Sequence, residues 1–266
     1  MPTISSPDRH LILNNFSRAA GRYDEFAIHH RRIAVELIEM IKHSRPGSVL
    51  ELGCGTGILS KMLNGLFPCA SKVFTDGASG MVKVCRTKVP PSFLVRHTIW
   101  NFEESECTRL YDLVVSSCAA QWVIDPVRFT EKIASLVAPG GSTAHAIPVK
   151  GMLKEFQHSF EQTGAKWNSL NYLTGNQWNE LFRNSGFRIV ESRTHPVSVG
   201  FSSPCKALRA LNGIGASLSG HRESSSTEPG MLRRALRKYS SDFKDQRGIV
   251  PSTYSVHFLK AVRHSD

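Results

Sequence analysis

The run Glu51-Leu52-Gly53-Cys54-Gly55-Thr56-Gly57 constrains this chain more than any other stretch. An apolar segment from Ser48 to Leu52 leads into it, and Ile58 to Phe67 follows with apolar residues at helical spacing. The pattern predicts strand, tight turn, helix. Glycines at alternate positions permit positive φ and let the backbone lie against a ligand that a Cβ would hold away. A tight corner with no ligand is the plain alternative. Two acids argue against it. Glu51, at the end of the first strand, repels the pyrophosphate that a dinucleotide would bring to the helix N-terminus. Asp76 ends the next apolar strand, where an acid that binds a ribose belongs. A cationic nucleoside suits both, and S-adenosylmethionine, with its sulfonium and ammonium, is the cofactor these residues select.

Upstream, Asn14 to Asp24 precedes Ile33, Ala34, Leu37, Ile38 and Ile41 at helical intervals, predicting an N-terminal helical lid over residues 1–46 that ends at Pro46-Gly47. Downstream, residues 47–266 read as one core in which strands and helices alternate: Ser48 to Leu52, a helix to Phe67, Lys72 to Thr75, a helix from Ser79 to Lys88, and Phe93 to Arg96. Tyr111 to Ser117 makes a fourth strand, Pro126 to Val137 a helix, and Ser142 to Ile147 a fifth strand after Pro139-Gly140-Gly141. This is the pattern of an α/β, doubly wound, Rossmann-like sheet. Gly186 to Pro196 and Tyr254 to Val262 add strands, the last one antiparallel. Cap insertions are expected at about 148–173 and 201–248. The second carries a serine run, Ser224 to Ser226, and a helix from Met231 to Tyr239 bearing Arg233, Arg234, Arg237 and Lys238.

A formal charge of +11 asks for an anionic partner, which nucleic acid, a membrane surface or an acidic protein would each supply. The six cysteines (Cys54, Cys69, Cys85, Cys107, Cys118 and Cys205) show no metal-ligand or paired spacing, so no metal site is expected and a reducing cytoplasm is. No apolar run approaches the ~18 residues of a membrane span.

Three stretches carry a more specific resemblance: Phe16-Ser17-Arg18-Ala19-Ala20-Gly21-Arg22-Tyr23 in the lid, Gln121-Trp122 after the fourth strand, and Leu208-Arg209-Ala210-Leu211-Asn212-Gly213-Ile214-Gly215-Ala216 in the second insertion, with Thr253-Tyr254 near the end. Over nearly its whole length the chain resembles the class I methyltransferases that act as malonyl-[acyl-carrier protein] O-methyltransferases of biotin synthesis, the BioC family. The resemblance implies methylation of the free malonyl carboxylate, so that fatty-acid enzymes elongate the masked group toward pimelate. It implies Tyr23, Arg209, Gln121 and Trp122 around the reacting group. It also implies Glu51, Gly53, Cys54, Gly55, Gly57, Asp76, Asn101, Phe102 and Ser117 around the cofactor. Asn101 stands where the family often has an acid beside the adenine, and Gly77-Ala78-Ser79-Gly80 departs from the family's turn after Asp76. The family's partner is acyl carrier protein, which the basic face of Arg233, Arg234, Arg237 and Lys238 would meet, with neither nucleic acid nor membrane involved. Set among Leu208, Ala210 and Leu211, Arg209 is expected to be a semi-buried fork for the carboxylate. Another small-acid methyltransferase, a nucleic-acid methyltransferase and a non-catalytic cofactor-binding module stay open as alternatives.

Overall fold

The computed structural model describes residues 9–101, 108–167, 169–215 and 229–265. Phe102, Ala216 and the serine run at 224–226 lie outside them.

Three helices come first: α1 (Arg9–Ala19), α2 (Tyr23–Phe26) and α3 (Ile28–Ile41). The alternating pattern follows as β1 (Ser48–Leu52), α4 (Ile58–Leu66), β2 (Ser71–Asp76), α5 (Ser79–Lys88), β3 (Val95–Ile99) and β4 (Tyr111–Ser117). A 3-10 turn (Ala120–Trp122), α6 (Pro126–Leu136) and β5 (Val137–Pro148) lead to α7 (Lys154–Glu161) and α8 (Gly175–Asn184). Then come β6 (Phe187–Phe201), α9 (Pro204–Gly213), α10 (Pro229–Phe243) and β7 (Val250–Arg263). The seven strands lie in the order β3-β2-β1-β4-β5-β7-β6. The first five are parallel and β7 runs antiparallel, as the sequence pattern predicts.

Local chemistry sets the boundaries. Asp125 caps α6 by accepting from the Val127 and Arg128 N–H groups, with Pro126 in the first turn. Thr174 and Gln177 form a reciprocal capping box at the start of α8. Ser203 caps α9 ahead of Pro204. The third strand begins at Val95 rather than Phe93. Ser92 and Val95 exchange both backbone hydrogen bonds across a tight turn after Pro90-Pro91, which puts Phe93 at the tip, 99% exposed.

One sheet face is buried under α3 and α4, with Ile33, Leu37, Ile41 and Leu63 at 0% exposure. The other lies under α6 and α8, around Phe129, Ile133 and Phe182. Residues 28–41, expected as part of a lid, are thus core. Of the three N-terminal helices, α1 packs on α5 and α2 on α9, around a cluster that includes Ala20, Tyr23, Ala78, Met81 and Ile214. A further apolar cluster joins α7, α9 and α10 through Phe156, Phe160, Ala207, Ala235 and Tyr239. Among the described residues no helix is long and apolar enough to cross a membrane.

Candidate active site

The β1–α4 turn takes left-handed backbone at Gly53 (φ 72°), Gly55 (φ 52°) and Gly57 (φ 87°). A Cβ at Gly57 would meet Cys85 Sγ at 3.0 Å and its Cα at 3.2 Å, so both space and conformation require glycine there. Asp76, at the end of β2, accepts the Gly55 N–H at 2.9 Å on one oxygen and the Ala78 N–H at 2.8 Å on the other. Each oxygen keeps a lone pair, which suits a diol. Burial pushes the Asp76 carboxyl up, and its two backbone bonds oppose that.

Two expected cofactor contacts face away from the turn. Glu51 is 1% exposed and its carboxylate accepts from Ser60 Oγ at 2.5 Å, so it braces α4 from beneath. Burial, with Cys85 and Asp76 nearby, raises its pKa well above the usual carboxylate range. Cys54 offers the ligand only its backbone. Its side chain is 4% exposed in the core, where the Cys85 bond and burial raise the thiol pKa. Asn101 follows Trp100, whose N–H donates to Asp76 O, and is half-buried beside the same strand end. Ser117, also half-buried, ends β4 in register with Ala146.

Beyond β4, Cys118 adopts φ 52°, a strained value for a residue with a Cβ, and burial pushes its thiol up to about 12. The Gln121 Nε2 donates to Cys118 O at 2.8 Å, while its Oε1 is buried without a partner among the described residues. Trp122 meets Phe16 of α1 edge-on at 5.3 Å. Opposite this corner, Asp24 of α2 accepts from Thr56 Oγ1 of the glycine turn at 2.6 Å and pairs with Lys88 of α5. Burial alone would raise the Asp24 pKa, but the Lys88 and Thr56 bonds prevail and lower it.

Tyr23 is 9% exposed and close enough to Cys118, Tyr254 and Asp76 to feel their charges. Burial, reinforced by those groups, raises its pKa far above that of a free phenol, so its hydroxyl stays protonated. The sequence reading left three residues of this neighbourhood without a role: His30, Tyr172 and Tyr254. Tyr254 and Tyr172 both lie within electrostatic reach of Cys118, and burial raises both phenols. His29 stacks on Tyr254 at 4.0 Å and 11°, and its Nε2 sits 2.7 Å from Ser252 O. The His30 ring lies 5.5 Å from that of Tyr23 and 5.9 Å from that of Tyr254. His30 Nδ1 is buried with no partner among the described residues, a state that costs about 1–3 kcal/mol.

Arg209 lies elsewhere than expected. It is exposed on the outer face of α9, because Ala207 and Ala210 take the inner one. One helical turn on, Asn212 lines a cleft of about 330 Å³ shared with Asn15, Arg18, Arg22 and Phe26. On α10, Ala235 and Tyr239 are buried while Arg233, Arg234 and Arg237 are exposed, and Lys238 pairs with Asp242 at 3.0 Å. No group of three or more His, Cys, Asp or Glu among the described residues is arranged to hold a metal.

Residues 23–192, more than half of the chain, match the family described as a methyltransferase domain. The chain belongs to this family. The methyltransferase is 25% identical to the malonyl-[acyl-carrier protein] O-methyltransferase of Brevibacillus brevis over 94% of its own length and 95% of that protein. It is 27% identical to the protein of the same name from Bacillus anthracis, over 94% and 95%. Among solved structures, the complex of the Haloferax volcanii Trm112 methyltransferase activator with its methyltransferase holds a chain that superposes with a TM-score of 0.62 at 15% identity, covering 96% of this chain and 98% of that one. The Haemonchus contortus phosphoethanolamine N-methyltransferase 2, solved with S-adenosylhomocysteine, gives 0.52 at 16% identity, over 87% of this chain and 52% of that one. S-adenosylmethionine is the methyl donor of the class I family, and the left-handed turn with the free lone pairs of Asp76 fits it.

Proposed function

We propose that the methyltransferase esterifies the free carboxylate of a malonyl group held as a thioester on acyl carrier protein, giving the methyl ester that enters pimelate and biotin synthesis. The observation that carries this reading is the likeness, over 94% of the chain, to relatives named malonyl-[acyl-carrier protein] O-methyltransferase, and the chemistry of the pocket agrees with it. Tyr23, Tyr172 and Tyr254 are held as phenols and Cys118 as a thiol, while burial holds His29 and His30 as neutral, weak bases with pKa values lowered to about 4 and about 3. The nearby carboxylates are engaged, Asp76 by two backbone N–H groups and Asp24 by Lys88 and Thr56. An amine or hydroxyl nucleophile needs a proton removed, whereas a malonyl carboxylate is already ionised at neutral pH. Bound S-adenosylmethionine supplies an electrophilic methyl, which the carboxylate oxygen takes by displacement while sulfur keeps the electron pair. The chain's part is to orient the acid and exclude water. Tyr23 aims its hydroxyl at the acid, Gln121 and Trp122 shape the corner, and α1 with α2 act as the lid.

Product formation from labelled S-adenosylmethionine with malonyl carrier protein, malonyl-CoA, another small carboxylic acid or RNA tests this reading. Transfer to malonyl carrier protein supports it. Transfer only to RNA or to an unrelated acid, or none with cofactor bound, overturns it. The carrier is proposed to dock on α10. Converting Arg233, Arg234 and Arg237 to glutamate is then expected to slow turnover of the carrier-bound substrate by about tenfold at low salt and less at high salt. An equal loss with malonyl-CoA would show that the helix does not read the carrier. From its exposed position Arg209 is proposed to guide the carboxylate inward. Arg209→Ala is expected to raise KM by roughly two- to fivefold, the scale of an exposed ion pair, with cofactor affinity unchanged by calorimetry. The scattered free thiols suit the cytoplasm, the proposed location.

A further inference from the structure

We propose that His30 holds the substrate carboxylate, donating a hydrogen bond from Nδ1–H to the oxygen that does not attack the methyl. The assignment rests on the carboxylate reading above and names the group that grips the acid. His30 sits in the first turn of α3, with its ring between those of Tyr23 and Tyr254. Its Nδ1 is buried and bonded to nothing among the described residues. A buried polar nitrogen in that state calls for a group outside the chain, a water or a ligand, to complete it. His29, stacked on Tyr254 and anchored to β7 at Ser252, fixes one wall of this recess.

The chemistry selects what fills it. Burial keeps the protons on Tyr23 and Tyr254, so each hydroxyl is a donor. With its proton on Nδ1, the imidazole shares one recess with the rings of two phenols, a donor set that suits an acceptor-rich group such as a carboxylate. Burial is the main effect that keeps His30 neutral, and His29 before it and Arg31 after it in the helix act in the same direction. The N-terminal end of α3 also disfavours an imidazolium. Asp24 and Asp76, the acids that face Tyr23, are held by their own partners.

Neutrality has a purpose in this reaction. A buried cation would bind the acid more tightly but withdraw charge from the oxygen that must attack. A neutral donor orients one oxygen and leaves the lone pairs of the other available. The same donor gives an ester a weaker bond than it gives an anion, because hydrogen bonds to charged acceptors are the stronger ones. The product is therefore held less tightly than the substrate.

The test uses the full chain with His30→Leu and His30→Gln, assayed with malonyl carrier protein and malonyl-CoA. Cofactor affinity and melting temperature are measured alongside. His30→Leu is expected to lower kcat/KM by roughly tenfold to hundredfold with both substrates, the span of one bond to a charged group. Cofactor affinity should hold, and His30→Gln, whose amide N–H has similar reach, should recover most of the loss. In the parent protein carrying 15N-labelled histidine, malonyl-CoA added with S-adenosylhomocysteine should bring out a downfield Nδ1–H resonance. S-adenosylhomocysteine alone should not. Parental kcat/KM in His30→Leu, or a glutamine variant as impaired as the leucine one, overturns the assignment. If His30→Leu does not fold, the parent's resonance decides, and its absence overturns the assignment. A parent that transfers no methyl to either malonyl thioester overturns the substrate reading as well. Activity in the parent with no effect at His30 overturns this assignment alone.

Discussion

Replacing Asp76 by alanine is expected to weaken S-adenosylmethionine binding by about two to four orders of magnitude. The carboxylate has a lone pair left on each oxygen after bonding the Gly55 and Ala78 N–H groups. Two ribose hydroxyls donating to it, each worth about 1.5–3 kcal/mol, together give roughly 3–6 kcal/mol. Alanine also releases the two backbone N–H groups that tie the glycine turn to β2. Asp76→Asn should fall between parent and alanine, since its NH2 faces a backbone donor and only its carbonyl still accepts. Calorimetry with S-adenosylhomocysteine, read beside the melting temperature, separates lost affinity from lost fold. Parental affinity in a folded Asp76→Ala protein would remove Asp76 from the cofactor site.

The second large effect is expected from Gly80→Ala. A Cβ at Gly80 would sit 2.5 Å from the Ser17 carbonyl oxygen and 2.8 Å from Ser17 Cα. Those are backbone atoms and cannot rotate aside, so α1 must shift bodily. Overpacking of this kind costs about 1–3 kcal/mol, enough to leave the lid seated only part of the time. Methyl transfer should drop by about tenfold or more, and amides of residues 9–26 should exchange faster, while the sheet keeps its protection. Gly65→Ala is the control. It lies in α4 with nothing near its Cβ position, and the better helix former should be neutral or stabilising by up to ~1 kcal/mol. Equal behaviour of the two variants would show that Gly80 is not the lid's seat.

The parallel sheet, its switch to an antiparallel strand and the glycine turn were legible because each rests on local periodicity or on residues required by one backbone shape. The depth of Arg209 was misread because its sequence neighbours Leu208 and Ala210 were taken for its surroundings. On a helix, adjacent residues point about 100° apart, and the face of Ala207 and Ala210 turns Arg209 outward. Glu51 is the last residue but one of β1, and alternation along the strand sends its side chain under α4 to Ser60. The recess around His30 was not legible, since α2, α3, the segment before α8 and β7 each contribute to it. Its one local signal was the pair His29-His30, each four residues before one of Ile33 and Ala34, which places polar rings on a buried face. Gly77 and Gly80, read as a departure within the cofactor turn, have a packing reason. A Cβ on either would strike α1, at Leu13 or at Ser17.

That seating has a thermodynamic corollary. The strand end at Asp76 and the glycines beneath α1 belong to one short segment, residues 76–80, so the carboxylate expected to read the ribose and the surface that seats α1 share a backbone. Whatever bound nucleoside gains by stiffening this segment is returned as firmer seating of α1. By reciprocity, a seated α1 raises nucleoside affinity by the same factor.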